Sequence, residues 1–184
     1  NNLAFPNSWA NGPGVSVGNA MQFTANNYVQ MVLTRTNNNF NSGKGGEDIG
    51  YVNGVPQFTN VNHNGDGVID FNTLRFFVNQ TNGQFSGGTV ARIRLYDHVL
   101  SAAEVAALDR LPDGACPTNL IGACTPAPAN LVSLWRGDNS PDDAMGLNSG
   151  VWRNGSASYT NGKAGQGFKF TGASNYLEAT MKGM

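Results

Sequence analysis

Hydrophobic and polar residues alternate with a period of two along several segments of the chain. Residues 28–36 and 72–79 each place apolar side chains at every second position. This period is typical of a β-strand with two different faces. It predicts that Phe76 and Phe77 lie on opposite faces of their strand. The dipeptide Asn53-Gly54 follows a further apolar run and favours the tight turn of a hairpin.

The period changes within residues 89–111. Residues 89–96 alternate and predict one continuous strand. Ser101 is then followed three residues later by Glu104, and a short apolar stripe comes after them. This spacing is a capping box, in which the hydroxyl and the carboxylate satisfy free amide groups at the start of a helix. The pattern therefore predicts a strand that leads into a short helix near residues 102–110.

The sequence VARIRLYDHVLSAAEVAAL resembles the closing strand and terminal helix of laminin G-like domains, particularly those of bacterial secreted proteins. Two earlier segments, YVQMVLTRT and YVNGVPQ, are similar to a strand and a hairpin of the same family. These domains belong to the concanavalin A-like jelly-roll class. The resemblance implies an all-β, antiparallel jelly-roll sandwich with one short helix.

The family pattern occurs here in the reverse order. Residues 1–111 resemble the C-terminal half of a laminin G-like jelly roll, and residues 131–184 resemble the N-terminal half. Residues 112–130 form a connection rich in Pro and Gly. Either the chain is a window from a tandem array, or its halves pair within one chain or between successive chains. Half a sandwich would expose apolar faces and open strand edges, which favours pairing of some kind.

The composition is poor in charge. Charged residues make up 12% of the chain and the net charge is -1. Nucleic acids and anionic membranes are therefore not expected as partners, because both attract basic surfaces. No apolar run in the sequence approaches the length of a membrane span.

Cys116 and Cys124 are the only cysteines, and they lie in the Pro/Gly-rich connection. A zinc site would need more thiols or nearby histidines, and the spacing is too wide for a redox pair. We predict a disulfide, which would contribute roughly 2–3 kcal/mol by loop entropy. The alternative is two free buried thiols. A disulfide indicates a secreted protein in an extracellular or cell-surface setting.

Calcium is a candidate cofactor because acidic residues cluster in two turns. Asp66 and Asp70 lie in NHNGDGVID, which resembles the front half of an EF-hand loop but has Thr73 where the bidentate carboxylate is needed. Asp138, Asp142 and Asp143 share a second turn and are the better candidates, since three carboxylates are present. The alternatives are an Asx-turn loop at the first place and a solvated turn at the second.

The sequence offers little for catalysis. Its three glutamates are Glu47, Glu104 and Glu178, and no strand carries the paired carboxylates of a glycosidase. No Gly-x-Ser-x-Gly elbow occurs. We therefore expect a protein that is not an enzyme.

The resemblance implies a function in binding. The leading hypothesis is a non-catalytic extracellular adhesion or carbohydrate-binding laminin G-like repeat. The rival is a structural subunit of an extracellular fibre, assembled head-to-tail by strand complementation between half-domains. Expected partners are other copies of the chain, neighbouring laminin G-like repeats, and glycans. Trp9, Trp135 and Trp152 are candidates for stacking on sugars, although large aromatics in strands more often belong to the core.

Overall fold

The computed structural model describes residues 27–36, 46–63, 73–78, 85, 87–108, 129–163 and 165–182. They form antiparallel strands and one short helix, so the prediction of an all-β structure with one short helix is confirmed. The sheets have two or three strands each. In chain order the elements are β1 (Met31–Thr36), β2 (Gly46–Val52), β3 (Val55–His63), β4 (Thr73–Phe76), β5 (Gly87–Val90), β6 (Ile93–Tyr96), α1 (Ala102–Ala107), β7 (Leu131–Trp135), β8 (Gly150–Arg153), β9 (Tyr159–Asn161), β10 (Gln166–Thr171) and β11 (Tyr176–Thr180).

The chain divides into two compact units. The first comprises Asn1–Val68 and His98–Arg110, and the second comprises Ile69–Asp97 and Leu111–Met184. None of the helices in the described part of the chain is long and apolar enough to cross a membrane.

The first unit contains one sheet, with the strand order β1-β2-β3. The turn between β2 and β3 is the one predicted from the sequence: Asn53 and Gly54 have φ values of 50° and 80°. A positive φ at both positions is the requirement of a tight hairpin turn, and Asn-Gly meets it with little strain. The Asn53 amide also donates to the Gln30 carbonyl over 2.9 Å, which ties the turn to the segment before β1.

The helix in this unit begins with the predicted capping box. The Glu104 amide donates to Ser101 Oγ over 3.3 Å, and the Ser101 amide donates to Glu104 Oε2 over 2.7 Å. Val105 is fully buried. The helix ends at Ala107 rather than near residue 110, because Leu108 already has an extended conformation, with ψ at 131°.

The second unit has three sheets, with strand orders β5-β10-β9, β4-β11-β8 and β6-β7. In each of them a strand from before residue 98 pairs with a strand from after residue 130: β5 with β10, β4 with β11, and β6 with β7. The pairing lies within one chain, which is one of the arrangements that the sequence left open.

The prediction of one continuous strand at residues 89–96 is wrong. The strand breaks at Ala91 and Arg92, and its two parts join different sheets as β5 and β6. The backbone of β10 passes close to this break: a Cβ added to Gly167 would lie 2.9 Å from the Val90 carbonyl oxygen and 3.4 Å from the Ala91 Cα. The chain therefore bends at the point where it leaves one sheet and enters the next.

An aromatic core holds the second unit together. Its buried members are Trp135, Phe168, Phe170, Leu177 and Ala179. Removing a large aromatic from such a core typically costs about 3–5 kcal/mol.

Both Phe76 and Phe77 pack on this core, contrary to the prediction that they lie on opposite faces. The Phe76 ring centroid is 5.4 Å from that of Trp135, and the Phe77 centroid is 4.2 Å from that of Phe170. The reason is a φ of 68° at Phe77, which interrupts the alternation of the strand. A bulky residue is strained in this region, and the stacked contact with Phe170 offsets that strain.

Candidate functional site

The turn predicted as the better calcium site is organised around a buried carboxylate. Asp143 is only 5% exposed. Its Oδ1 accepts hydrogen bonds from the Leu134 amide at 2.8 Å and the Met145 amide at 2.9 Å, and its Oδ2 accepts one from the Asn148 amide at 3.0 Å. Asp143 therefore ties β7 to the turn that follows it.

These hydrogen bonds stabilise the charged form of Asp143. Burial by itself raises the pKa of a carboxyl group, because it disfavours the charge. The amides of Leu134, Met145 and Asn148, with the Ser133 hydroxyl, outweigh burial and hold the pKa of Asp143 below its usual value. The carboxylate is thus charged and satisfied by donors from the protein itself.

A buried polar network continues from this point. The Asn148 side chain donates from Nδ2 to Ser133 Oγ over 2.8 Å, and its Oδ1 accepts from the Lys182 amide at 2.7 Å. Trp135 Nε1 donates to the Asn148 carbonyl over 2.8 Å. Buried polar groups need such partners, since an unsatisfied one costs about 1–3 kcal/mol. The network fixes the turn to the core beside Trp135.

The other predicted calcium ligands are not gathered around Asp143. Asp138 and Asp142 are exposed, and Asp142 accepts a hydrogen bond from the Ser140 hydroxyl. Within the described ranges, no group of three or more acidic, histidine or cysteine residues is arranged to hold a metal ion. Asp66 and Asp70 lie outside those ranges, and Thr73 begins β4. Calcium binding by this chain stays a prediction.

Cys116 and Cys124 also lie outside the described residues, so their disulfide stays a prediction. Titration of thiols in denaturant without reductant is expected to find no free sulfhydryl. The same titration after reduction supplies the control and should find both. Two reactive thiols before reduction would overturn the prediction.

A second cluster of charged side chains lies on the sheet β4-β11-β8. Along β11, Leu177 and Ala179 are buried in the core, and Glu178 between them points to the other face. Glu178 lies opposite Arg75 of β4 in the register. Arg75 Nε donates to Glu178 Oε2 over 2.8 Å. Arg153 of β8 approaches the other oxygen, with Nε at 3.0 Å and Nη2 at 2.9 Å from Oε1.

One carboxylate therefore holds two guanidinium groups across three strands. The hydrogen bond from Arg75 lowers the pKa of Glu178 below its usual value, burial opposes this shift, and the contacts with Arg153 reinforce it. Charged hydrogen bonds of this kind are stronger than neutral ones and favour the ionised carboxylate. The group stays charged throughout the neutral pH range.

Aromatic side chains flank this charged group. Tyr176 lies opposite Arg153 in the register of β11 and β8. Its ring centroid is 6.3 Å from that of Phe85, and the two rings are inclined by only 27°. We name Arg75, Phe85, Arg153, Tyr176 and Glu178 together the charged sheet face.

The sequence had pointed to other aromatic residues. Trp135 is fully buried, and Trp152 packs against Tyr159, Phe168 and Phe170 in the core. Trp9 lies outside the described residues. The sequence reasoning missed Tyr176, although the alternation in NYLEAT places it on the same side of the strand as Glu178.

Comparisons of the chain with protein-family models, with curated proteins and with solved structures found no match. The laminin G-like resemblance and the jelly-roll sandwich therefore stay predictions.

Proposed function

We propose that the chain is a non-catalytic, extracellular carbohydrate-binding module of the laminin G-like jelly-roll type. The charged sheet face is the observation that carries this proposal. An aromatic ring offers a flat apolar surface to the C–H face of a sugar, and a guanidinium group donates hydrogen bonds to its oxygens. Tyr176 and Arg153 supply these two groups on neighbouring strands, and Glu178 holds Arg153 in place.

Several features support binding rather than catalysis at this face. A glycosidase of the usual kind needs two carboxyl groups, of which one gives up a proton. Among the described residues of the charged sheet face, Glu178 is the acidic one, and its pKa is lowered rather than raised. An acid with a lowered pKa is a poor proton donor near neutral pH.

The rival function, a fibre subunit assembled by strand complementation, requires strands that pair between molecules. β4, β5 and β6 instead pair with β11, β10 and β7 of the same chain. This pairing removes the need for a neighbour to supply those strands, so we favour the binding module.

Replacing Tyr176 tests the proposed function. Tyr176→Ala removes the aromatic surface and is expected to weaken glycan binding by about tenfold, the loss typical of an aromatic anchor. Tyr176→Phe keeps the ring and is expected to retain most of the affinity. Both variants are compared with the natural chain on a glycan array, and the hits are measured by calorimetry. Absence of glycan binding by the natural chain, or equal affinity of Tyr176→Ala, would contradict the proposal.

A further inference from the structure

The charged sheet face presents positive charge to solvent. The Glu178 side chain is 13% exposed, whereas those of Arg75 and Arg153 are 49% and 50% exposed. The carboxylate is thus largely covered and the guanidinium-bearing side chains are not. A ligand that reaches this face meets arginine before it meets glutamate.

Glu178 holds the guanidinium group of Arg153 in one orientation. Its Nε and Nη2 both approach the same Glu178 oxygen, and Nη1 takes no part in those contacts. A guanidinium group carries its N–H donors in one rigid plane, so fixing one edge of the plane also fixes the direction of the other donors. Glu178 therefore orients Arg153 before a ligand arrives, which lowers the entropy lost on binding.

We propose that the charged sheet face selects glycans that bear a carboxylate, such as those with uronic or sialic acid residues. The sugar ring packs on Tyr176, and its carboxylate accepts hydrogen bonds from Arg153. Glu178 is the positioning residue for that arginine. The inference rests on the proposed carbohydrate-binding function and adds the chemical class of the sugar.

The first experiment needs no variant. Oligosaccharides that carry uronic or sialic acids are titrated into the full chain, each beside its methyl ester, which has the same sugar without the charge. The acid is expected to bind about 10- to 100-fold more tightly than the ester, the range for a hydrogen bond between charged groups. The affinity for the acid should also fall with added salt, because partly exposed charges are screened.

Substitutions at Arg153 then test whether this residue causes the preference for the acid over the ester. Arg153→Gln is expected to reduce the preference for the acid over the ester to nearly nothing. Arg153→Lys should recover part of it, because an ammonium group keeps the charge but lacks the planar fork. Arg136→Gln is the matched control: Arg136 is exposed just after the end of β7, a strand of a different sheet, and its loss should leave the preference unchanged.

The outcomes separate this inference from the proposed function. Binding of neutral glycans and esters as tightly as of acids would overturn the inference and leave carbohydrate binding in place. Absence of binding to any glycan would overturn both. A preference for acids that survives in Arg153→Gln and is lost in Arg136→Gln would place the selectivity outside the charged sheet face and contradict the inference.

Discussion

A fragment that ends at residue 130 is expected to aggregate or to stay largely unfolded. β4, β5 and β6 pair with β11, β10 and β7, and the fragment lacks all three of those partners. Phe76 and Phe77 would also lose the core residues Trp135 and Phe170 on which they pack. Unpaired edges and uncovered apolar faces associate with one another in solution.

The measurement is size-exclusion chromatography of the fragment with thermal melting followed by circular dichroism. Two controls distinguish missing strands from a damaged chain. A protease site placed at residues 112–115 should give a cut protein that stays associated and melts cooperatively, because all strands are still present. Residues 131–184 added during refolding should recover soluble material. A fragment 1–130 that is monomeric and melts cooperatively by itself would overturn the prediction.

Replacement of Asp143 by alanine is expected to destabilise the second unit by roughly 3–5 kcal/mol. The substitution leaves the amides of Leu134, Met145 and Asn148 without their acceptor inside the protein. Each buried unsatisfied donor costs about 1–3 kcal/mol, and partial access of water to the turn keeps the total below the simple sum. Denaturant unfolding of the natural chain and the variant measures the difference.

Asp142→Ala is the matched control, since it removes a neighbouring carboxylate that is exposed. Its effect should stay within about 0.5 kcal/mol, as is usual for surface positions. The same unfolding curves recorded with calcium and with a chelator test the calcium prediction. If Asp143 acts only as a hydrogen-bond acceptor for the three amides, Asp143→Ala lowers the free energy of unfolding equally with calcium and with the chelator. A loss seen with calcium and absent with the chelator would show instead that the turn is a metal site.

Local chemistry explains which elements could be predicted from the sequence. The hairpin at Asn53-Gly54 and the capping box at Ser101 and Glu104 each depend on residues close together in the chain, and both are present as predicted. Their energies come from backbone conformation and from hydrogen bonds within a few residues. No distant contact is needed to specify them.

The features that the sequence did not predict depend on distant partners. The break at Ala91 and Arg92 follows from the close passage of β10, more than 70 positions later in the chain. The strain of the positive φ at Phe77 is offset by its contact with the ring of Phe170, which also lies in β10. Periodicity describes a strand by itself and contains no information about which neighbour will bend it.

The candidate sites divide in the same way. The sequence grouped Asp143 with Asp138 and Asp142 as candidate calcium ligands. The amides that Asp143 binds cannot be recognised from residue types alone. For Glu178 the sequence shows only a glutamate whose strand carries no second carboxylate. Its two arginine partners lie 103 and 25 positions away, and only the strand register brings them together.

The pairing of early strands with late ones also determines when the second unit can fold during synthesis. The ribosome releases β4, β5 and β6 well before β7, β10 and β11, their partners in the sheets. Long-range strand pairing is slow, and an early segment without its partner exposes apolar surface for the whole interval. A nascent chain whose early strands pair with late ones therefore has to be kept from aggregating until β10 and β11 emerge.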